Sequence, residues 1–186
     1  MDLHELTTRN DIGSILSSMG LRTGAEIGVA FGENAEVIMR SGALDRIVLV
    51  DPWDYVPGQN PIGFADAIKD WRGCFNYCLD KMRPFGSRVW MLQSPSVEAA
   101  AMFKDGSFDF IYIDANHARP YIDQDLAAWW PKLRDGGIFG GHDYHMVERE
   151  DYSCGVKAAV DEFFTGQDRY IHVTTADQDP SWYTIK

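Results

Sequence analysis

Acidic side chains stand at or near the ends of four apolar segments in this sequence. They are Glu26, Asp51, Asp114 and Asp143, and His142 directly precedes the last of them. Carboxylates bind cations, and imidazole is both a metal ligand and a proton carrier near neutral pH. If the folded chain brings these groups together, they can hold a cationic organic molecule, a divalent ion or both.

The segment FDFIYIDANH, from Phe108 to His117, indicates how these groups would meet. Its nearly unbroken run of β-branched and aromatic residues predicts a strand that is buried on both faces of a parallel sheet. Ligands of open α/β sheets bind beyond the carboxyl ends of the strands. Asp114 would stand at that rim, with Asn116 and His117 just beyond it. The alternative is that Asp114 only caps the helix that follows.

Strands and helices alternate along most of the chain, and two strands finish it. The predicted strands are 25–29, 46–50, 88–92, 108–113, 138–141, 169–175 and 182–185, and the predicted helices are 11–20, one from about 34, 64–82, one from 95, 121–130 and 156–164. A turn is expected at 135–137, and loops are expected at 54–63 and 145–153. The pattern predicts a three-layer, Rossmann-like α/β sandwich with a mostly parallel sheet and an antiparallel last strand.

The longest predicted helix carries a stripe of apolar residues and two of the three cysteines. The stripe consists of Phe64, Ile68, Trp71, Phe75, Leu79 and Met82, with Cys78 buried beside Leu79. Cys74 and Cys78 lack the second pair that a zinc site needs. An odd number of cysteines also argues against a disulfide framework, so we expect a reduced, intracellular protein.

Length and charge limit the classes of function. The chain has 186 residues and a formal net charge of -11, which is typical of one acidic globular domain. This charge disfavours nucleic-acid binding, which depends on clustered Lys and Arg. The sequence contains no targeting signal and no apolar segment of membrane-spanning length, so we expect a cytoplasmic protein without a membrane partner.

The first glycine loop, Glu26-Ile-Gly28-Val-Ala-Phe-Gly32, departs from the dinucleotide-binding pattern G-x-G-x-x-G. Its carboxylate would repel a pyrophosphate but would attract a cationic ligand. Asp51, at the end of the next strand, suits the two hydroxyls of a ribose. A cation joined to a ribose indicates S-adenosylmethionine rather than NAD. The alternative is that the glycines only permit a tight turn.

The ordered set of motifs EIGVAFGEN, LVDPWD, FDFIYIDANH and LRDGGIFGGHDY resembles the class I S-adenosylmethionine-dependent methyltransferases. Within them it is most similar to the small O-methyltransferases that include macrocin-type sugar methyltransferases and catechol O-methyltransferase. The resemblance covers roughly residues 20 to 186. It implies one methyltransferase domain over 1–186, with 1–20 as an N-terminal helical segment, and a seven-stranded sheet with a reversed last strand.

The resemblance also implies which residues contact the cofactor. Glu26, Gly28 and Gly32 would hold the methionine part, Asp51 the ribose, Trp53 the ribose or adenine, and Gln93 and Ser94 the adenine. The chain has Ala30 where the family has its middle glycine.

Metal-dependent members of this group place an acid after the fourth strand and an acidic pair, or Asp-Asn, after the fifth. The matching residues here are Asp114, His142 and Asp143. Two carboxylates suit Mg²⁺, whereas a histidine shifts the preference toward Mn²⁺ or another transition ion. The alternative role for His142 is to orient Asp143 by a hydrogen bond.

The implied reaction is metal-assisted transfer of a methyl group to the hydroxyl of a small molecule such as a sugar, a phenol or another natural product. Asp114 would help to activate the hydroxyl, and His117, or else His145, would take its proton. The alternatives are an NAD-dependent oxidoreductase and a non-catalytic cofactor-binding or interaction domain. Homodimer formation stays open.

Overall fold

The computed structural model describes residues 3, 6–54, 70–145, 147–149 and 152–186, and it describes side chains for these residues except 147–149 and 152–153. The predicted loop at 54–63 and the first part of the predicted helix at 64–82 therefore lie largely outside the described residues. None of the helices in the described ranges is long and apolar enough to cross a membrane.

The predicted seven-stranded sheet is confirmed. Its strands are β1 (Thr23–Ile27), β2 (Arg46–Asp51), β3 (Val89–Gln93), β4 (Phe108–Ile113), β5 (Leu133–Gly141), β8 (His172–Val173) and β9 (Trp182–Ile185), and β6 (Val147–Arg149) pairs with β7 (Tyr152–Cys154) in a separate hairpin. The order across the sheet is β3-β2-β1-β4-β5-β9-β8. The first five strands pair in parallel, and β9 is antiparallel to both of its neighbours.

Helices cover both faces of the sheet, as the run of buried β-branched strands requires. They are α1 (Ile12–Ser18), α2 (Glu33–Arg40), α3 (Trp71–Met82), α4 (Ser96–Ala100), α5 (Tyr121–Trp129) and α6 (Val156–Phe164). The core forms two apolar clusters. Helices α1 to α3 contribute to one cluster, and helices α4 to α6 contribute to the other.

The buried face of α3 differs from the prediction. Cys74, Cys78 and Met82 are buried, whereas Leu79 is 37% exposed. A Cβ atom on Gly32 would lie only 2.7 Å from the Cys78 sulfur, so the glycine loop and α3 approach each other closely. This approach favours small side chains on the inner face of the helix. The predicted burial of Cys78 is confirmed.

Three further predictions about local structure were wrong. The segment 145–153, expected to be a loop, contains β6 and β7. Strand β5 begins at Leu133 rather than Ile138, and the glycines at 136–137 lie in an irregular part of its pairing with β4. Helix α4 begins at Ser96 rather than at residue 95, because the backbone of Pro95 is extended.

Candidate active site

A cavity of about 590 Å³ opens at the carboxyl ends of the parallel strands. Its lining includes the predicted acids Glu26, Asp51, Asp114 and Asp143 together with His117. The folded chain therefore brings these separated groups to one rim. Helix α5 contributes Tyr121, Gln124 and Asp125 to the wall, and the segment after β3 contributes Ser94 to Val97.

The glycine loop between β1 and α2 is closely packed against β4. Gly28 has φ +81°, and a Cβ atom there would lie 2.1 Å from the carbonyl oxygen of Asp114. Its N–H donates to Val50 O at 2.9 Å. Any side chain at this position would push the end of β1 away from the end of β4, so the turn requires glycine.

Left-handed backbone in residues other than glycine occurs, within the described ranges, at three positions close to this cavity. They are Ala30, Trp53 and Asp143, with φ of 46°, 42° and 51°. Such conformations cost energy and tend to occur at functional sites. Ala30 thus adopts a backbone conformation that a glycine would adopt without this cost.

Glu26 projects from β1 under helix α2 and is 2% exposed. The Asn34 side-chain amide donates to its Oε1 at 3.2 Å, while its Oε2 is buried without a hydrogen-bond partner among the described residues. Burial raises the pKa of Glu26 to about 8, and the Asn34 hydrogen bond opposes this shift. A buried acceptor that lines a cavity in this state is suited to a ligand that donates a proton or carries positive charge.

Asp51 fixes the glycine loop from β2. Its Oδ2 accepts from the N–H groups of Val29 and Ala30 at 2.9 and 3.0 Å, and its Oδ1 accepts from the N–H of Trp53 at 2.7 Å. Since each carboxylate oxygen has two lone pairs, Oδ1 can still accept from one ligand hydroxyl.

Three residues expected to contact the cofactor, Trp53, Gln93 and Gly32, do not line the cavity. The Trp53 indole is buried, donates to Ala30 O at 2.8 Å and packs edge-on against Phe75. Its packing against a ribose or adenine stays a prediction. Gln93 is exposed at the end of the edge strand β3. Ser94 does line the cavity, whereas Gly32 supports it from behind, against Cys78.

His117 bridges two carboxylates. Its Nε2 lies 3.2 Å from Asp114 Oδ1, and its Nδ1 lies 2.9 Å from Asp143 Oδ2. Burial opposes the charged ring, but the hydrogen bonds to both aspartates outweigh burial and raise the pKa of His117 to about 10. The same contacts hold the pKa of Asp143 well below its usual range, against the effect of burial.

His142 lies beside this group rather than between the aspartates. Its Nδ1 is 3.1 Å from Asp143 Oδ1 and 3.9 Å from Asp114 Oδ1. Arg9 Nη1 lies 3.4 Å from its Nε2. Burial and the charge of Arg9 oppose a charged ring, but the Asp143 hydrogen bond and the two aspartates outweigh them and raise the pKa of His142. The contact with Asp143 fits the alternative role of His142, which is to orient this carboxylate, and both roles stay predictions.

A cluster of donor atoms within 4.8 Å of one another comprises Asp114, His117 and Asp143. The chemistry of this set, two carboxylates and one imidazole, fits a divalent transition ion. The histidine of this set is His117, whereas the sequence predicted His142 as the histidine of the metal site. A second such cluster is formed by Asp143, His145 and Asp179, with His145 Nε2 at 3.2 Å from Asp179 Oδ1. His145 does not line the cavity.

The comparisons with known proteins agree with this geometry. Residues 25–144, well over half of the chain, match the family described as a methyltransferase domain. The chain belongs to this family. Among curated proteins, no sequence matches it.

Solved structures similar to this methyltransferase include several O-methyltransferases. One is a Staphylococcus aureus protein assigned as a caffeoyl-CoA O-methyltransferase (13% identity, TM-score 0.71, covering 96% of this chain and 82% of that one). Another is the O-methyltransferase TomG of tomaymycin synthesis from Streptomyces achromogenes in complex with SAM (15%, 0.68, 95% and 78%). A third is a Bacillus cereus O-methyltransferase in complex with SAH (14%, 0.67, 96% and 80%). At these identities the likeness shows the fold.

Two residues of this methyltransferase's cavity carry no motif signal in the sequence. Arg9 enters the cavity from the segment before α1, far from every glycine or acid motif. Asp125, on α5, is 4% exposed and accepts a short hydrogen bond from Ser96 Oγ, which in turn accepts from the Trp129 indole at 2.9 Å. Burial raises the pKa of Asp125 to about 7. In the sequence, the helical pattern identifies Asp125 only as a polar residue on a partly apolar helix.

Proposed function

We propose that this methyltransferase transfers the methyl group of S-adenosylmethionine to a hydroxyl oxygen of a small molecule. The observation that carries the proposal is the buried Oε2 of Glu26 on the wall of the cavity, which has no hydrogen-bond partner in the described part of the chain. A carboxylate at this point does not suit a pyrophosphate, which argues against an NAD-dependent oxidoreductase. It suits the ammonium group of an amino acid.

The remaining walls of the cavity suit the rest of this cofactor. S-Adenosylmethionine supplies a methyl group that its positive sulfur has already activated. Asp51 keeps an acceptor for a ribose hydroxyl, and the left-handed turn at Gly28 lets the backbone approach a ligand without a side chain in between. The chain's main task is then to align the acceptor oxygen with the methyl carbon and to exclude water.

The aspartates and His117 are placed to prepare the acceptor hydroxyl. A divalent ion held by the carboxylates of Asp114 and Asp143 would lower the pKa of a hydroxyl bound to it, and His117 beside them would take the proton of that hydroxyl. With both aspartates charged, His117 keeps its proton at neutral pH and cannot act as a base. A cation bound by Asp114 and Asp143 would neutralise both carboxylates and remove the cause of the raised pKa of His117. His117 can therefore act as a base only while the ion is bound.

The test has two stages. Calorimetry with S-adenosylhomocysteine should give micromolar binding to the purified chain, and a screen of sugars and phenols by homocysteine release should then reveal an acceptor. Chelation with EDTA should lower the rate by about a hundredfold or more, and Mn²⁺ should restore it. Binding of NADH without binding of S-adenosylhomocysteine would contradict the cofactor assignment. A rate unaffected by EDTA would contradict only the role of the metal.

A further inference from the structure

Arg9 is the only Lys or Arg among the described residues that line the cavity. The lining also contains two histidines, His117 and His142, and eight acidic residues, namely Glu26, Glu33, Asp51, Asp54, Asp114, Asp125, Asp143 and Asp179. A cavity that only had to hold cations would gain nothing from a guanidinium, which repels them. Its presence indicates that one part of the ligand is anionic.

The backbone around Arg9 is fixed, so the fold itself presents the side chain to the cavity. Arg9 N–H donates to Asp177 Oδ2 at 2.8 Å, and Thr7 O accepts from the N–H groups of Thr175 and Ala176 at 3.1 and 3.0 Å. Asp11 Oδ2 accepts from Thr8 N–H at 2.8 Å. These bonds hold the segment before α1 onto the connection between β8 and β9.

The guanidinium retains donors for a ligand. Within the described part of the chain it forms no ion pair with a carboxylate, and its side-chain contact is the one to His142 Nε2 at 3.4 Å. Because guanidinium has five N–H donors in a planar fork, this contact leaves room for two parallel hydrogen bonds to a carboxylate.

Arg9 and Glu26 act on one another across the cavity. The positive charge of Arg9 lowers the pKa of Glu26, against the larger effect of burial, although the two groups are not ion-paired. A carboxylate and a guanidinium that face one space without neutralising each other suit a ligand with both charges on one carbon, as in an α-amino acid.

We propose that Arg9 binds the α-carboxylate of the cofactor's methionine part while Glu26 binds its α-ammonium group. This inference rests on the function proposed above. It assigns Arg9 to the cofactor rather than to the acceptor, because the carboxylate of an amino acid cannot lie far from its ammonium group.

The test compares two ligands on the same protein. S-Adenosylhomocysteine has the carboxylate, and its decarboxylated analogue S-adenosyl-3-thiopropylamine lacks only that group. In calorimetry, Arg9→Gln should weaken binding of S-adenosylhomocysteine about tenfold to a hundredfold. It should leave binding of the cationic analogue unchanged or make it tighter. Arg9→Lys should lose less affinity for S-adenosylhomocysteine, since lysine keeps the positive charge but lacks the planar fork of N–H donors.

Arg40→Gln is the matched control, because Arg40 is exposed on α2, pairs with Glu36 and does not line the cavity. It should change neither affinity. Equal losses for both ligands in Arg9→Gln would overturn the proposal and assign Arg9 a role in shaping the cavity. A reduced rate with unchanged affinity for S-adenosylhomocysteine would overturn it in favour of the acceptor. If the wild-type chain binds no S-adenosylhomocysteine, the proposed function itself fails.

Discussion

Glu26 is held in a state that favours ligand binding over stability. Its pKa is raised from an ordinary value of 4.5 to about 8 by burial, so the folded chain keeps a proton that the unfolded chain releases. The contribution of Glu26 to the free energy of unfolding should therefore fall as pH rises from about 4.5 to about 8. A buried carboxylate that loses its proton there lacks a compensating charge until a cationic ligand arrives.

Glu26→Gln should remove this pH dependence. The amide keeps the size of the side chain and the acceptor for Asn34, but it cannot ionise. We expect wild type and variant to be equally stable near pH 5 and the variant to be more stable by roughly 2–4 kcal/mol at pH 9. Chemical denaturation across this pH range measures the gap, with Glu98→Gln, on the exposed side of α4, as the control. A gap that does not change with pH would refute the assignment.

His117 and His145 were alternative bases in the sequence, and the structure separates them. His117 lines the cavity between Asp114 and Asp143. His145 does not line it, although its partner Asp179 does. We expect His117→Gln to lower kcat about a hundredfold or more and to change the affinity for S-adenosylhomocysteine less than about threefold. His145→Gln should retain kcat within about threefold. The homocysteine-release assay decides between them, and equal losses would argue against His117 as the base.

The acids of the site were predictable, because each follows a strand and the carboxyl ends of parallel strands meet. Arg9 and Trp53 show where this reasoning stops. No strand end marks Arg9, which reaches the cavity only because its backbone docks on Asp177 and its neighbours. Trp53 follows the right strand, but the left-handed backbone at this residue turns the indole inward to the carbonyl of Ala30.

At the scale of elements, the turn after β1 packs directly against the end of β4. Gly28→Ala should therefore cost more than the strain of its left-handed backbone. Its new methyl group would collide with the Asp114 carbonyl, so β4 or the loop must move. Gly42 is the matched control, since it has φ +73° and an added methyl group there would meet no atom of the described residues within 4 Å.

We expect Gly42→Ala to lower the free energy of unfolding by about 1 kcal/mol and Gly28→Ala by about 2–4 kcal/mol. Only Gly28→Ala should also abolish binding of S-adenosylhomocysteine, because it displaces both Glu26 and Asp114. Denaturation curves and calorimetry measure the two effects. Similar losses for the two variants would show that the close approach to β4 does not limit the site.

Hydrophobic periodicity was enough to predict which segments are helices and which are strands. It did not predict features that depend on contacts between these elements. The stripe of apolar residues on α3 predicted that the larger side chains form its inner face. The helix instead turns its cysteines inward, because Gly32 brings the loop within contact distance of Cys78. The β6–β7 hairpin was not predictable from the sequence, because each of its strands has only three residues, too few to show an alternating pattern.

At the scale of the whole molecule, charge distinguishes the cofactor from its product. The net charge of -11 and the acidic cavity create a negative potential that attracts cations. S-Adenosylmethionine carries one net positive charge, whereas S-adenosylhomocysteine, without the sulfonium, carries none. The field should therefore favour the substrate form of the cofactor over the spent form.

Salt should weaken this preference. Raising NaCl from 50 to 500 mM shortens the screening length several-fold, to about 4 Å. We expect the affinity for S-adenosylmethionine to fall about threefold to fivefold and that for S-adenosylhomocysteine to change less than about twofold. Calorimetric titrations of both ligands at the two salt concentrations measure the difference. Equal salt dependence would mean that the long-range field contributes nothing and that contacts within the cavity, such as those of Glu26, alone discriminate the sulfonium.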